Sequence, residues 1–206
     1  MSRAVLGLGT NLGDRGRNLA AAVEALGRLP ETAVARVSSV WQTAPFDVPD
    51  EQQDYWNICV LLETELSSRA LLGACLGIEA ALGRVRRTYH GARTIDLDLL
   101  LYKGAACAEK ELTLPHPGIS SRAFVLFPLR ELFPALEVFG ADYSGAPGLA
   151  DADAVQCIGS MPLRYNNDKQ KKPLFSRGLS VCRLLFNSFS KLKIDENYKE
   201  KRRLFY

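Results

Sequence analysis

Long apolar runs are missing from this 206-residue chain. No stretch approaches the roughly 18 consecutive apolar residues that a membrane-spanning helix needs, so no span is expected. A signal-peptide layout is missing too, because Met1-Ser2-Arg3-Ala4-Val5-Leu6 leads directly into a strand. Cysteine is sparse: Cys59, Cys75, Cys107, Cys157 and Cys182 are scattered, odd in number and never spaced C-x-x-C. That pattern suggests neither a disulfide framework nor a zinc site, and it fits reduced thiols in the cytoplasm. Alanine disappears partway along, with 23 residues before position 155 and none after it.

The charge divides at nearly the same place. The overall +3 is the sum of a body, residues 1–163, with 14 Lys/Arg against 19 Asp/Glu, and a remainder with 12 against 4. The expected organisation is therefore one globular domain over residues 1–164, followed by a basic extension over residues 165–206 with no assigned role. The extension contains a candidate amphipathic stripe (Leu179, Cys182, Leu185, Phe186, Phe189, Leu192), but Gly178, several serines and Asn187 make it a poor helix. A nucleic-acid partner would rest on this segment alone, since the body is net acidic and lacks the aromatic motifs of RNA-binding sheets.

What the chain does have is concentrated between Gly83 and Tyr102. Ile95, Leu97, Leu99 and Leu101 alternate with Asp96, Asp98, Leu100 and Tyr102, which predicts a strand with an apolar face and both carboxylates on the other. Two carboxylates about 7 Å apart along a strand repel unless a cation sits between them. Such hard oxygen ligands suit magnesium, which takes the rest of its shell from water and substrate phosphates. Upstream lie Arg84, Arg86, Arg87 and Arg93, whose guanidinium forks match phosphate oxygens in pairs. Metal-binding acids beside a basic loop point to phosphoryl transfer.

The remaining elements can be read in order. Val5–Gly9 is a short strand, followed by a turn and a helix with Asp14 as N-cap and Leu19, Val23 and Leu26 as its buried stripe. Gly7-x-Gly9-x-x-x-Gly13 is read as glycines for a tight strand-to-helix turn, since a dinucleotide site lacks its second-strand acid. Val34–Trp41 is a strand, Thr43–Asp50 a loop with two prolines, and Tyr55–Glu63 a strand. Tyr55, Asn57 and Cys59 fall on one side of it, and Trp56, Ile58 and Val60 on the other. A helix capped by Ser67 or Ser68 follows, with Leu71, Cys75, Ile78 and Leu82 as its stripe, Glu79 off it, and Gly83 at its end. The order β-α-β-β-α-β predicts an α+β, ferredoxin-like antiparallel sheet with helices on one face, plus C-terminal additions. The other face would be uncovered, with Asp96, Asp98, Tyr55 and Asn57 converging on it. Beyond lie His116, held exposed between two prolines, and an amphipathic segment from Ser121 to Leu129.

These motifs together resemble a known family. Leu8-Gly9-Thr10-Asn11-Leu12-Gly13-Asp14, Asp54-Tyr55-Trp56-Asn57, Gly83-Arg84-Val85-Arg86, Gly91-Ala92-Arg93-Thr94-Ile95-Asp96-Leu97-Asp98-Leu99-Leu100 and Leu114-Pro115-His116-Pro117 are similar, in order, to 6-hydroxymethyl-7,8-dihydropterin pyrophosphokinase of folate biosynthesis. The resemblance spans about residues 3 to 163. It implies transfer of the β,γ-diphosphate of ATP to the pterin hydroxymethyl group, with release of AMP. It further implies that Asp96 and Asp98 hold two Mg2+ ions, and that Arg84 and Arg93 offset charge on the triphosphate. Arg86, Thr113, His116, Arg122, Glu79 and Leu99 are then the remaining nucleotide contacts. Tyr55 and Phe124 would sandwich the pterin, with Asn57, Thr43, Ala44 and Phe46 reading its edge. His90 stands where many members have tryptophan, in a loop between Arg84 and Arg93 that is one residue shorter. A monomer acting on small molecules is expected. The competing reading, a non-catalytic ferredoxin-like nucleotide- or ligand-binding module, predicts no turnover.

Overall fold

A computed structural model describes residues 1–45, 52–84 and 91–160. Phe46, Arg86, Arg87, His90 and everything from residue 161 on, including the expected boundary at residue 164, lie outside the described residues.

The elements run β1 (Ser2–Thr10), α1 (Arg15–Leu26), β2 (Thr32–Val37), β3 (Val40–Thr43), β4 (Tyr55–Thr64), α2 (Ser68–Ala81), β5 (Asp96–Tyr102), β6 (Cys107–Ala108), β7 (Thr113–Leu114), α3 (Ala123–Leu132), β8 (Glu137–Val138), β9 (Ala141–Asp142) and β10 (Val155–Gly159). Single 3-10 turns occupy Pro147–Ala150 and Ala152–Ala154. The main sheet is antiparallel in the order β10-β3-β4-β1-β5, with β2 also pairing to β4. Taking β2 and β3 as one interrupted strand, this is the expected ferredoxin-like βαββαβ sheet.

Both crossover helices start where their caps dictate. Asp14 accepts from the Arg17 N–H at 2.9 Å, and Ser67, rather than Ser68, accepts from the Ala70 N–H at 3.2 Å. Their buried residues (Leu19, Ala22, Val23 and Leu26 on α1, Leu71, Cys75 and Ile78 on α2) lie on one face with Leu6, Leu8, Ile58, Val60, Leu97 and Leu99. This is the first core.

The opposite face is not left uncovered. α3 lies on it and forms a second core, in which Val125, Leu126, Leu129 and Leu132 meet Val5, Cys59, Leu61 and Leu100. A helix of ten residues is marginal alone. Burying each of those side chains contributes about 1.5–3 kcal/mol, so packing holds it in place.

The segment read as one strand from Val34 to Trp41 breaks at Ser38 and Ser39, and the break serves α3. The Ser39 N–H and the Trp41 indole N–H both donate to the Glu131 carboxylate, at 2.8 and 2.6 Å. Arg36 caps the last carbonyls of α3 through Leu132 O at 2.6 Å and Glu131 O at 2.9 Å.

A second departure lies in β5. The β1–β5 register runs Leu6↔Leu99 and Val5↔Leu101, so Leu100 is an extra residue at a bulge. Alternation therefore flips beyond it. Leu101 joins the second core and Tyr102 packs against the first, the reverse of simple alternation. Asp96 and Asp98 precede the bulge and keep their predicted face.

Candidate active site

Cross-strand register builds the site floor. Asn57, Gly9 and Asp96 stand opposite one another across β4, β1 and β5, and Cys59, Gly7 and Asp98 form the next row. Glycines thus occupy the central strand in both rows. A Cβ on Gly9 would meet Asn57 Oδ1 at 3.1 Å, and one on Gly7 would meet the Leu100 side chain at 3.2 Å. The reading of these glycines as turn residues needs correction: only Gly13, at φ +70, takes a left-handed turn conformation, while Gly7 and Gly9 keep the floor clear. Their spacing of two on a strand was the available signal.

Above this floor lies a cleft of about 680 Å³. It brings together Thr43, Ala44, Tyr55, Asn57, Arg93, Asp96, Asp98, Arg122 and Phe124 from the sequence-predicted set. The ends of β3 and β4 supply Thr43, Tyr55 and Asn57, and the N-terminus of α3 supplies Arg122 and Phe124. Asn57 Nδ2 donates to Thr43 Oγ1 at 3.1 Å, which fixes a buried amide at the floor. The Arg122 guanidinium lies 5.7 Å from the Phe124 ring centroid. Residues not anticipated also line the cleft, among them Asp151, Ala154 and Val155, brought there because β10 pairs with β3.

The acidic pair is divided in its company. Arg84 and Arg93 both pair with Asp96, and Arg84 also pairs with Glu79; none of these ion pairs reaches Asp98. Burial pushes the Asp98 carboxyl above its ordinary range, and the Asp96 charge adds to that; His116, Arg122 and Arg93 offset part of it. Burial pulls the Arg93 guanidinium down, but Asp96 outweighs it and leaves the group above its usual value. Asp98 is thus a carboxylate short of positive charge beside a second one. That donor set, two hard oxygen ligands on one strand face, fits a divalent cation.

The remaining predicted contacts are placed differently. Glu79 is not off the apolar stripe but 4% exposed, accepting from the Leu97 N–H at 2.8 Å while pairing with Arg84. It braces Arg84 and the start of β5 from below. The Leu99 side chain is buried in the first core. Thr113 is exposed, and its hydroxyl donates to Glu109 O at 3.2 Å. His116 is half-buried rather than held exposed, and its backbone N–H donates to Leu100 O at 2.8 Å. Burial, reinforced by Arg122, lowers its pKa against the opposing pull of Asp98. Its Nδ1 accepts from the Gly118 N–H at 3.0 Å, so the neutral ring carries its proton on Nε2 and acts as a donor.

Comparison with known proteins identifies the family. The model of the family described as 7,8-dihydro-6-hydroxymethylpterin-pyrophosphokinase (HPPK) matches residues 5–134. A Methylorubrum extorquens protein named 2-amino-4-hydroxy-6-hydroxymethyldihydropteridine pyrophosphokinase is 43% identical over 159 residues, covering 77% of this chain and 99% of that protein. A Haemophilus influenzae protein of the same name is 39% identical over 132 residues, covering 64% and 82%. Among solved structures, a crystal structure of Plasmodium falciparum HPPK-DHPS aligns with a TM-score of 0.50 at 14% identity, over 68% of this chain and 40% of that one. The chain spans less than half the length of that protein, and the likeness shows the fold alone.

Proposed function

The chain belongs to the 7,8-dihydro-6-hydroxymethylpterin-pyrophosphokinase family, and from that premise we propose how its cleft performs the reaction. The enzyme transfers the β,γ-diphosphate of ATP to the hydroxymethyl group of 6-hydroxymethyl-7,8-dihydropterin, a step of folate biosynthesis. The substrate hydroxyl oxygen bonds to the β-phosphorus and gives up its proton. The bond from that phosphorus to the oxygen shared with the α-phosphate breaks, and AMP leaves with that oxygen.

Catalysis of this kind is mainly positioning and charge stabilisation. Tyr55 and Phe124, which both line the cleft, would hold the flat heterocycle between them. Asn57, with Thr43 and Ala44, reads its polar edge. Arg93 and Arg84 leave Asp96 for the triphosphate as it enters, and Arg122 and the Nε2–H of His116 add donors from the far side. Glu79 stays buried as a brace. Asp96 and Asp98 would hold two Mg2+ ions, which when bound neutralise phosphate charge and lower the pKa of the attacking hydroxyl. A monomer acting on small molecules in the cytoplasm completes this reading, and the net-acidic body, 14 Lys/Arg against 19 Asp/Glu over residues 1–163, argues against a nucleic-acid partner.

The observation that carries the assignment is the placement of Asp96, Asp98 and Arg93 in the same cleft as Tyr55, Asn57 and Phe124. The test is product analysis with MgATP and 6-hydroxymethyl-7,8-dihydropterin. AMP should appear in one-to-one ratio with the pterin diphosphate. Release of ADP would overturn the reading in favour of ordinary phosphoryl transfer, and no reaction would favour a non-catalytic binding module.

A further inference from the structure

Asn11 lies outside the cleft lining, yet it is 1% exposed and spends its side-chain amide and its backbone N–H on the site's two approaches. Its Oδ1 accepts from the Arg93 N–H at 2.7 Å, and its own N–H donates to Arg93 O at 3.1 Å. Its Nδ2 donates to Gln52 Oε1 at 2.9 Å and to Gln53 O at 3.4 Å. The orientation of the amide is forced, because the Arg93 N–H donates only and the Gln53 carbonyl accepts only. Gln52 Oε1 in turn accepts from the Tyr55 hydroxyl at 3.3 Å. An unbroken series of hydrogen bonds therefore runs from the backbone of Arg93, whose guanidinium pairs with Asp96, through Asn11 and Gln52 to Tyr55. One end belongs to the phosphate side of the cleft and the other to the pterin side. Thr10, one residue earlier, anchors the same arm by donating to Thr94 O at 2.6 Å, so the Asn11 end is fixed to the sheet.

We propose that Asn11, acting with Gln52, is a positioning residue that couples the two substrate sites, so that seating Arg93 on a triphosphate orders Tyr55 for the pterin, and the reverse. The inference rests on the site assignment above. Coupling of this kind is reciprocal, and a factor of about 5 or more between the sites is its ordinary size. A hydrogen-bonded bridge made by a side chain with both a donor and an acceptor can carry it, and a carboxylate cannot. Asn11→Asp keeps the acceptor for the Arg93 N–H but turns an acceptor toward the Gln53 carbonyl. Gln52→Ala removes the oxygen shared by Asn11 and Tyr55 while leaving Asn11 on Arg93.

The experiment is calorimetric titration of 6-hydroxymethylpterin into the full-length protein, with and without Mg2+ and α,β-methylene-ATP, which resists cleavage at the bond the reaction breaks. Wild type should bind the pterin at least fivefold more tightly when the nucleotide analogue is present. In N11D and in Q52A that factor should fall below twofold, while each ligand alone binds within about threefold of wild type. Wild-type coupling retained in both variants would overturn the proposal, as would its absence from the wild type. Joint loss of both single-ligand affinities in both variants would assign Asn11 and Gln52 to the fold alone and overturn it equally. Failure of the wild type to bind either ligand would instead refute the site assignment beneath it.

Discussion

Replacing Asp98 with Asn should make the ligand-free protein more stable and almost inactive, a combination that only a functional carboxylate gives. Two carboxylates about 7 Å apart on one strand face repel by about 2 kcal/mol at the effective dielectric of a protein site. Arg84 and Arg93 sit on Asp96 and offset part of that repulsion, leaving about 1 kcal/mol against the ionised Asp98. Asparagine has the same shape, removes the charge and relieves this term. The melting temperature should rise by about 2–4 °C for a domain of this size. Turnover loses a metal-charge contribution of several kcal/mol, which means at least about a thousandfold in rate. The sign can be tested against pH. Because the folded state raises the Asp98 pKa, the folded protein binds the extra proton, and stability is full below the ordinary carboxylate range. It is lost as pH rises from that range through the raised value, and D98N should flatten that slope. The assays are thermal melting from pH 4 to 8 and AMP release. A variant that loses activity and stability together would show Asp98 to be structural, and one that keeps activity would remove it from the site.

Two further outcomes follow from buried groups. Glu79→Ala leaves Arg84 short of one carboxylate and the Leu97 N–H without its acceptor, and should cost about 3–5 kcal/mol, whereas Glu79→Gln keeps the acceptor and should cost about 1 kcal/mol; equal losses by chemical denaturation would show that the bond to Leu97 carries nothing. Gly9→Ala places a Cβ 3.1 Å from Asn57 Oδ1, so steady-state kinetics should show the pterin KM rising about tenfold with the ATP KM within twofold, and parallel rises would mean Asn57 does not face the pterin.

How much of this was legible depends on whether a feature is local. Asp14 and Ser67 cap helices by reaching three residues along the chain, and the alternation of Ile95 to Leu99 places Asp96 and Asp98 without any distant partner. Those were readable, as was the βαββαβ order. The flip at Leu100 was not, because the bulge is a property of how β5 pairs with β1. The covered second face was missed for a related reason. The segment from Ser121 to Leu129 is visibly amphipathic, but amphipathicity says only that a face is buried, not which surface buries it. That surface is fixed by Arg36, Ser39 and Trp41, more than 80 residues earlier, reaching the end of α3.

Glu79 makes the same point about chemistry. A periodicity argument counts glutamate as polar and sets it outside the helix stripe, so no count of apolar positions can predict that it is buried. Partners from outside the helix meet it there, among them the Leu97 N–H at the head of β5 and the guanidinium of Arg84. A carboxylate survives in that place because those donors satisfy it, although burial still raises its pKa beyond what they restore. The fold accepts that electrostatic burden where it fixes Arg84 beside Asp96. Arg84 is itself almost fully buried, so in the proposed mechanism its move toward phosphate keeps the Glu79 pair while releasing Asp96. On that proposal Glu79 is the pivot of the arginine, and its buried place, fixed by the Leu97 N–H, is what gives the pivot a fixed position.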